Sequence, residues 1–150
     1  MKKLIVIILF LISATNLLPQ SKGFGIGLII GEPTGISAKY WTSSQNSLNF
    51  ALGYSFAGKH NRVHLHVDYV WHNENLIRSA ERLPVYYGFG GKLQTYDHTD
   101  ASLGARGVLG LLWIPRNAPL DLFLEVAPVL RLIPETDLDI DAGLGARFFF

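Results

Sequence analysis

The sequence has no cysteine and a single methionine among its 150 residues. Without cysteine there is no disulfide, no thiolate metal site, no thiol nucleophile and no residue to carry the lipid of a bacterial lipoprotein. Charged residues are scarce as well, at 17%. Apart from Lys2 and Lys3 the chain has 11 basic and 12 acidic residues, so no basic excess favours nucleic acid as a partner.

The first residues have the layout of a secretory signal peptide. Lys2 and Lys3 form a positive start, and Leu4–Ile12 is an unbroken apolar run that small and polar residues follow. The run is shorter than the roughly 20 residues that a spanning helix needs, which disfavours the alternative of a membrane anchor. We predict a signal peptide over residues 1–21, with its cleavage site left open, and one mature domain over residues 22–150.

The mature part divides into eight stretches, separated by short segments rich in Pro, Gly, Asn and Asp that predict turns. The stretches are Gly23–Gly31, Gly35–Thr42, Ser47–Ala57, Arg62–His72, Val85–Thr95, Ser102–Ile114, Leu120–Leu132 and Leu138–Phe150. The connection Asn73–Pro84 is longer than the others, and we expect it to hold one helical turn.

Apolar and polar residues alternate within five of these stretches, which is the period of a β-strand. In the fourth stretch one face carries Val63, Leu65, Val67, Tyr69 and Trp71, and the other carries His64, His66 and Asp68. A soluble barrel would pack the apolar face inward. A membrane barrel inverts the pattern, with apolar side chains against lipid and small or charged side chains inside.

Three features favour the inverted case. The polar faces are rich in Gly, Ala and Ser, which suit the narrow lumen of an eight-stranded barrel. The stretch lengths suit tilted strands that cross a bilayer. Aromatic residues lie near stretch ends, where a membrane barrel has its interfacial girdles: Tyr40, Phe56, Trp71, Tyr87, Trp113 and Phe148. We therefore predict an all-β, eight-stranded antiparallel up-and-down transmembrane β-barrel with outer-membrane lipid around it.

The last stretch ends in three phenylalanines. Phe148 and Phe150 fall on the same face as the apolar residues before them. This pattern resembles the signal that the outer-membrane barrel assembly machinery reads, so we predict that machinery as a partner during biogenesis.

Several segments resemble a family of small uncharacterised outer-membrane β-barrel proteins of the spirochaete type. The segments are Gly23–Trp41, Leu65–His72, Leu83–Gly91 and Leu122–Pro128. The resemblance implies a barrel in the bacterial outer membrane and no established activity. One spirochaete member is associated with a host complement regulator, and no motif here carries that property over. A host or envelope protein partner therefore stays unidentified.

Two features depart from a regular barrel. Pro128 falls inside the seventh stretch, where we expect a bulge or bend because a proline lacks the N–H of a sheet ladder. An even strand number puts both ends of the barrel chain in the periplasm. The long Asn73–Pro84 connection then becomes periplasmic, which is atypical.

Charged residues of both signs fall on the predicted inner face, and we expect a paired network that plugs the lumen, since buried charges must be paired. Its predicted members are Lys39, His64, His66, Asp68, Lys92, Arg106, Glu125, Asp139, Asp141 and Arg147, joined by Asp121 and Arg131.

Two sharper hypotheses use the same residues. The spacing of His64, His66 and Asp68 would place three metal ligands on one strand face, although pairing with neighbouring strands explains them equally well. Ser55 with His64 or His66 and Glu125 offers the residue types of a hydrolase, but no spacing singles them out. We predict no catalytic set, no metal and no cofactor.

The prediction from the sequence is thus a structural or interaction protein with a plugged polar lumen and no open pore. The alternatives are a lipid-A-modifying outer-membrane enzyme and a soluble periplasmic ligand-binding β-barrel. The first would bring a hydroxyl, an imidazole and a carboxylate together. The second would have an apolar lumen and a polar exterior.

Overall fold

A computed structural model describes residues 23–56, 62–96 and 100–150. The predicted signal peptide lies outside these ranges. The described chain forms eight strands: β1 (Gly23–Gly31), β2 (Thr34–Trp41), β3 (Asn46–Ser55), β4 (Arg62–Asn73), β5 (Val85–Thr95), β6 (Ala101–Trp113), β7 (Leu120–Ile133) and β8 (Asp137–Phe149).

The eight strands close into one antiparallel barrel. Each strand pairs with its sequence neighbours, and β1 pairs with β8 from Gly25↔Phe149 to Gly31↔Gly143. The predicted eight-stranded up-and-down barrel is therefore confirmed, with strand bounds within two residues of the expected ones. No helix in the described part of the chain is long and apolar enough to span a membrane.

The barrel has a Gly23 end and a Glu32 end, each called after a residue that lies there. The Gly23 end carries the connections after β2, β4 and β6, and Gly23 and Phe149 lie there. The Glu32 end carries the connections after β1, β3, β5 and β7.

The alternation of the sequence becomes an outer apolar face and an inner polar face. Along β4, Val63, Leu65 and Val67 are exposed, whereas His64 and His66 are buried. The other strands repeat this arrangement. The apolar lumen and polar exterior expected of a soluble ligand-binding barrel are thus the reverse of the observed faces.

Aromatic side chains ring the outside of the Gly23 end. Phe24 lies directly opposite Tyr40, and Trp71 lies opposite Tyr87 with the two rings stacked at 6.4 Å. Trp113 ends β6 at the same end. The predicted girdle residues therefore concentrate at the Gly23 end, with Phe56 as the exception at the Glu32 end.

The C-terminal phenylalanines divide between the two faces. Phe149 is buried inside, Phe148 is half-buried on the outer face and Phe150 is exposed. The rings of Phe148 and Phe150 contact edge to face at 5.5 Å. Their role as an assembly signal stays a prediction.

Small residues on the inner face make room for large rings on the neighbouring strand. Gly110 lies directly opposite Tyr86, and a Cβ added to Gly110 would fall 2.1 Å from the ring carbon Cζ of Tyr86. Gly145 stands in the same relation to Phe123, at 2.5 Å. The lumen is packed by these cross-strand pairs, so glycine is required at both positions.

Of the bulge or bend expected at Pro128, the structure has no bulge. The β7–β8 ladder runs without a shift through Pro128↔Ile140, and pairing with β6 is interrupted opposite Pro128 with the register kept. A proline lacks the N–H that would bond to one of its two neighbouring strands. A local gap in the pairing with that strand is therefore enough to accommodate it. The register shift lies further along, at Leu103 and Gly104.

The expected helical turn in Asn73–Pro84 is wrong as well. The segment consists of bends, and Arg82 forms an isolated bridge with Ile114. Local side-chain bonds replace helical ones, since the carboxylate of Glu74 binds Arg82 and the side chain of Asn73 accepts from the N–H of Asn75 at 2.9 Å.

Replacing Gly110 with alanine is expected to destabilise the refolded barrel by about 1–3 kcal/mol, because the new methyl group overlaps the Tyr86 ring. The measurement is the urea unfolding midpoint followed by tryptophan fluorescence. Gly91→Ala is the matched control, since the nearest atom to its added Cβ is 4.0 Å away. Equal midpoints for the two variants would contradict the packing argument.

Candidate functional site

Polar side chains buried in the lumen form the candidate site, called here the lumen network. All of its members are buried. They are Lys39, His64, His66, Asp68, His72, Tyr86, Lys92, Arg106, Asp121, Glu125, Asp141 and Arg147. These residues lie on β2 and on β4 to β8, where they alternate with outward apolar residues. The pleat of each strand therefore points them into the lumen.

Arg106 is the centre of the first half of this network, the Arg106 cluster. Its Nε lies 2.9 Å and 3.0 Å from the two carboxylate oxygens of Asp68. One terminal nitrogen donates to Glu125 at 3.2 Å and the other to Asp141 at 3.3 Å. A guanidinium presents its donors in a planar fork, so a single side chain from β6 ties together carboxylates from β4, β7 and β8.

Lys92 and two histidines complete the Arg106 cluster on its Glu32 side. Lys92 donates to both oxygens of Asp141 at 2.8 Å. His64 and His66 are bonded to each other, Nε2 to Nδ1 at 2.9 Å. Nε2 of His66 lies 3.7 Å from Asp68, and this links the histidine pair to the cluster.

The second half, the Lys39 cluster, lies toward the Gly23 end. Arg147 holds Asp121 through two parallel bonds of 2.9 Å and 3.1 Å, and its guanidinium lies 4.1 Å from the ring centre of Phe123. The ammonium of Lys39 lies 4.0 Å from Asp121 and 2.8 Å from Nε2 of His72.

The hydrogen bonds of His72 fix its tautomer. Its Nδ1 lies 3.0 Å from the carbonyl oxygen of Gln45, which only accepts, so the ring proton is on Nδ1. Nε2 is then left to accept from the ammonium of Lys39. The histidine thus serves as a neutral acceptor for a buried cation.

Tyr86 joins the two clusters. Its hydroxyl donates to Glu125 at 2.6 Å, and its ring centre lies 5.6 Å from the ammonium of Lys39. Counted at formal charge, the Arg106 cluster has two cations and three carboxylates, and the Lys39 cluster has two cations and one carboxylate. The excess charges are opposite, so the clusters attract each other along the lumen and the eight buried charges cancel.

Nine of the ten predicted lumen residues lie buried in this network, and Asp139 does not. Asp139 is half-buried at the Glu32 end, where it accepts from Arg131 at 2.6 Å. Asp121, which the sequence also suggested, belongs to the Lys39 cluster. Sequence reasoning did not place His72 or Tyr86 in the network, although both share the strand face of residues that it did place there.

The geometry favours neither sharper hypothesis. Among the described residues no three His, Asp or Glu side chains are arranged to hold a metal ion. The hydroxyl of Ser55 donates to Glu32, and Glu125 is engaged by Tyr86 and Arg106. The candidate hydroxyl and carboxylate of a hydrolase are thus each bonded to other groups.

Comparisons with known proteins identify no relative. No protein-family model matches the chain, and no curated protein or solved structure is significantly similar to it. The resemblance to the spirochaete-type barrels stays a prediction, and the site must be interpreted from its own geometry.

Replacing Arg106 with methionine is expected to destabilise the barrel by about 3–5 kcal/mol, because it leaves buried carboxylates without their shared cation. The measurement is the urea unfolding midpoint. Arg131→Met at the Glu32 end is the control, with an expected cost under about 1 kcal/mol for a partly exposed pair. Adding Asp68→Asn and Glu125→Gln to the Arg106 variant should recover part of the loss. No recovery would show that the arginine acts through its volume instead of its charge.

Proposed function

We propose that this protein is a small β-barrel of the bacterial outer membrane, of structural or interaction type, with a plugged lumen and no open pore. The observation that carries the proposal is the inverted barrel: apolar side chains cover the outside of a closed sheet, and paired charges fill the inside. In water such an outer face would be an aggregation liability, whereas in lipid it is the required surface.

The outer wall supports the membrane location. Its exposed apolar residues occur on all eight strands, among them Leu28, Ile36, Leu52 and Leu144. Closure of the sheet leaves no edge with unpaired backbone groups, which lipid requires. The aromatic ring at the Gly23 end matches an interfacial girdle.

The lumen supports the absence of a pore. Its charged side chains are buried and bonded to one another between strands, from Lys39 on β2 to Arg147 on β8, and they occupy the interior. The same bonds disfavour an enzyme, because the candidate hydroxyl and carboxylate groups already serve structural partners. We place the Gly23 end in the periplasm, in keeping with the predicted secretory signal and the even strand number.

In the outer membrane, the protein is expected to migrate faster on a gel when unboiled than when boiled, since closed membrane barrels resist detergent. Fractionation of cell envelopes with this gel assay tests location and fold together. Recovery as a soluble periplasmic protein with heat-independent mobility would overturn the proposal.

A charge on the outer wall separates a membrane barrel from a soluble one. Leu28 and Leu138 are equally exposed, at 65% and 67%, but Leu28 lies mid-strand and Leu138 lies at the Glu32 end. Leu28→Arg is expected to cost about 2–4 kcal/mol in phospholipid vesicles and Leu138→Arg about 0–1 kcal/mol. Urea titration of the refolded variants measures both. If both substitutions left the free energy of unfolding nearly unchanged, the outer wall would face water and the membrane location would be wrong.

A plugged lumen predicts no discrete conductance steps when the wild-type protein is inserted into a planar bilayer. The reason is that the four buried cations and four buried carboxylates neutralise one another and occupy the interior. The matched comparison is a variant that opens the network, Arg106→Ala with Lys92→Ala. Steps in the wild type at ordinary voltages would contradict the plug.

A further inference from the structure

The long β4–β5 connection, residues 74–84, borders three cavities, and two of them share Ile77 as a lining residue. The first of these two has a volume of about 600 Å³ and is lined by charged residues of this connection together with Arg116. The second has a volume of about 490 Å³ and is lined mainly by apolar residues of β5, β6, β7 and β8, among them Val85, Leu109, Leu124 and Ala142. Ile77 lines both, so the polar cavity and the apolar groove are neighbours on the surface of the barrel.

The polar cavity carries an excess of positive charge. Three arginines, Arg78, Arg82 and Arg116, face two glutamates, Glu74 and Glu81. The arginines differ in how far the protein itself engages them.

Two of the arginines are held by the protein. Arg82 is paired with Glu74, and Arg116 donates to the carbonyl oxygen of Ala80 at 2.7 Å. Glu81 accepts from the indole N–H of Trp113 at 3.3 Å. Arg78 has no ion-pair or hydrogen-bond partner among the described residues, so its charge is available to a ligand.

The apolar groove adjoins Ile77, the sequence neighbour of Arg78. Leu109 and Leu111 of β6 and Leu124 and Val126 of β7 line it, and all four are exposed. Leu109 lies four residues before Trp113, which is roughly 13 Å along the strand at the usual rise. The groove thus lies on the outer wall in the half of β6 that ends at Trp113.

We propose that this composite surface binds one phospholipid with an anionic headgroup, the phosphate at Arg78 and Arg116 and an acyl chain along Leu109 and Leu124. The proposal rests on the membrane location proposed above. Charge complementarity selects the headgroup, because arginines beside a membrane surface favour anionic over zwitterionic lipid. The apolar lining of the groove fits a hydrocarbon chain and offers almost no polar surface to a peptide backbone.

The experiment uses the full mature barrel in a non-ionic detergent and native mass spectrometry. Phosphatidylglycerol and phosphatidylcholine with identical acyl chains are added at equal concentration. The expected result is one retained phosphatidylglycerol, preferred about fivefold over phosphatidylcholine. Arg78→Gln should abolish the preference. Arg131→Gln, which removes the same charge at the Glu32 end, should leave it unchanged.

Two further arms identify which part of the lipid is recognised. Leu109→Ser should weaken retention of both lipids and leave the preference intact, because it alters the groove and not the arginines. Glycerol phosphate alone should not compete at the same concentration, since it lacks the chain. Equal retention of the two lipids, or equal losses for Arg78→Gln and Arg131→Gln, would overturn the lipid site.

Failure of the membrane proposal is distinguishable on the same sample. A barrel that enters vesicles and shows heat-dependent mobility but has no lipid preference contradicts only the lipid site. A chain that neither enters vesicles nor shows heat-dependent mobility contradicts both proposals.

Discussion

The charge balance of a closed lumen is the constraint on which the rest of this structure depends. An eight-stranded barrel has an interior just wide enough for side chains, so a charge that points inward must find its partner in the protein. Arg106 meets this demand for three carboxylates at once, on three different strands. Its planar fork makes the contacts directional, and lysine would not reproduce them.

The same ion pairs specify how the strands come together. Arg106, Asp68 and Asp141 meet only if β4, β6 and β8 hold the observed register and the sheet is closed. A slip by one residue would send every charge to the apolar outer face and every apolar side chain inside. The network therefore specifies the register and closure of the sheet. Its net contribution to stability is a separate matter, because buried ion pairs contribute little or even unfavourably compared with apolar packing.

Strand alternation made the barrel and both of its faces predictable from the sequence, because strand period and turn chemistry are local properties. Partners were not predictable, since they depend on register and on strand tilt. Asp139 and Asp141 share a strand face, yet one lies at a mouth and the other at the centre. His72 lies four residues after Asp68 on β4 and therefore on the same inward face. The alternation along this strand alone predicts that its side chain lies in the lumen.

The outcome at Pro128 has a similar origin. The missing N–H of a proline is a local fact, and it predicted a disturbance at that position. Whether the disturbance is a bulge or a gap depends on the facing strand. There the β6–β7 pairing resumes in the same register, with Arg106 opposite Val129 and Leu109 opposite Val126.

Paired side chains occupy the lumen, whereas the outer wall and the two ends of the barrel are exposed, and these ends are not equivalent. The Glu32 end is finished by short connections and the Arg131–Asp139 pair. The Gly23 end carries the aromatic ring and a long connection that contacts at Arg82, Pro84, Trp113 and Arg116 hold to the barrel. Anchoring a segment in this way costs chain entropy that a tight turn would avoid. The Gly23 end is therefore where the chain has placed an ordered surface beyond what closure of the barrel requires.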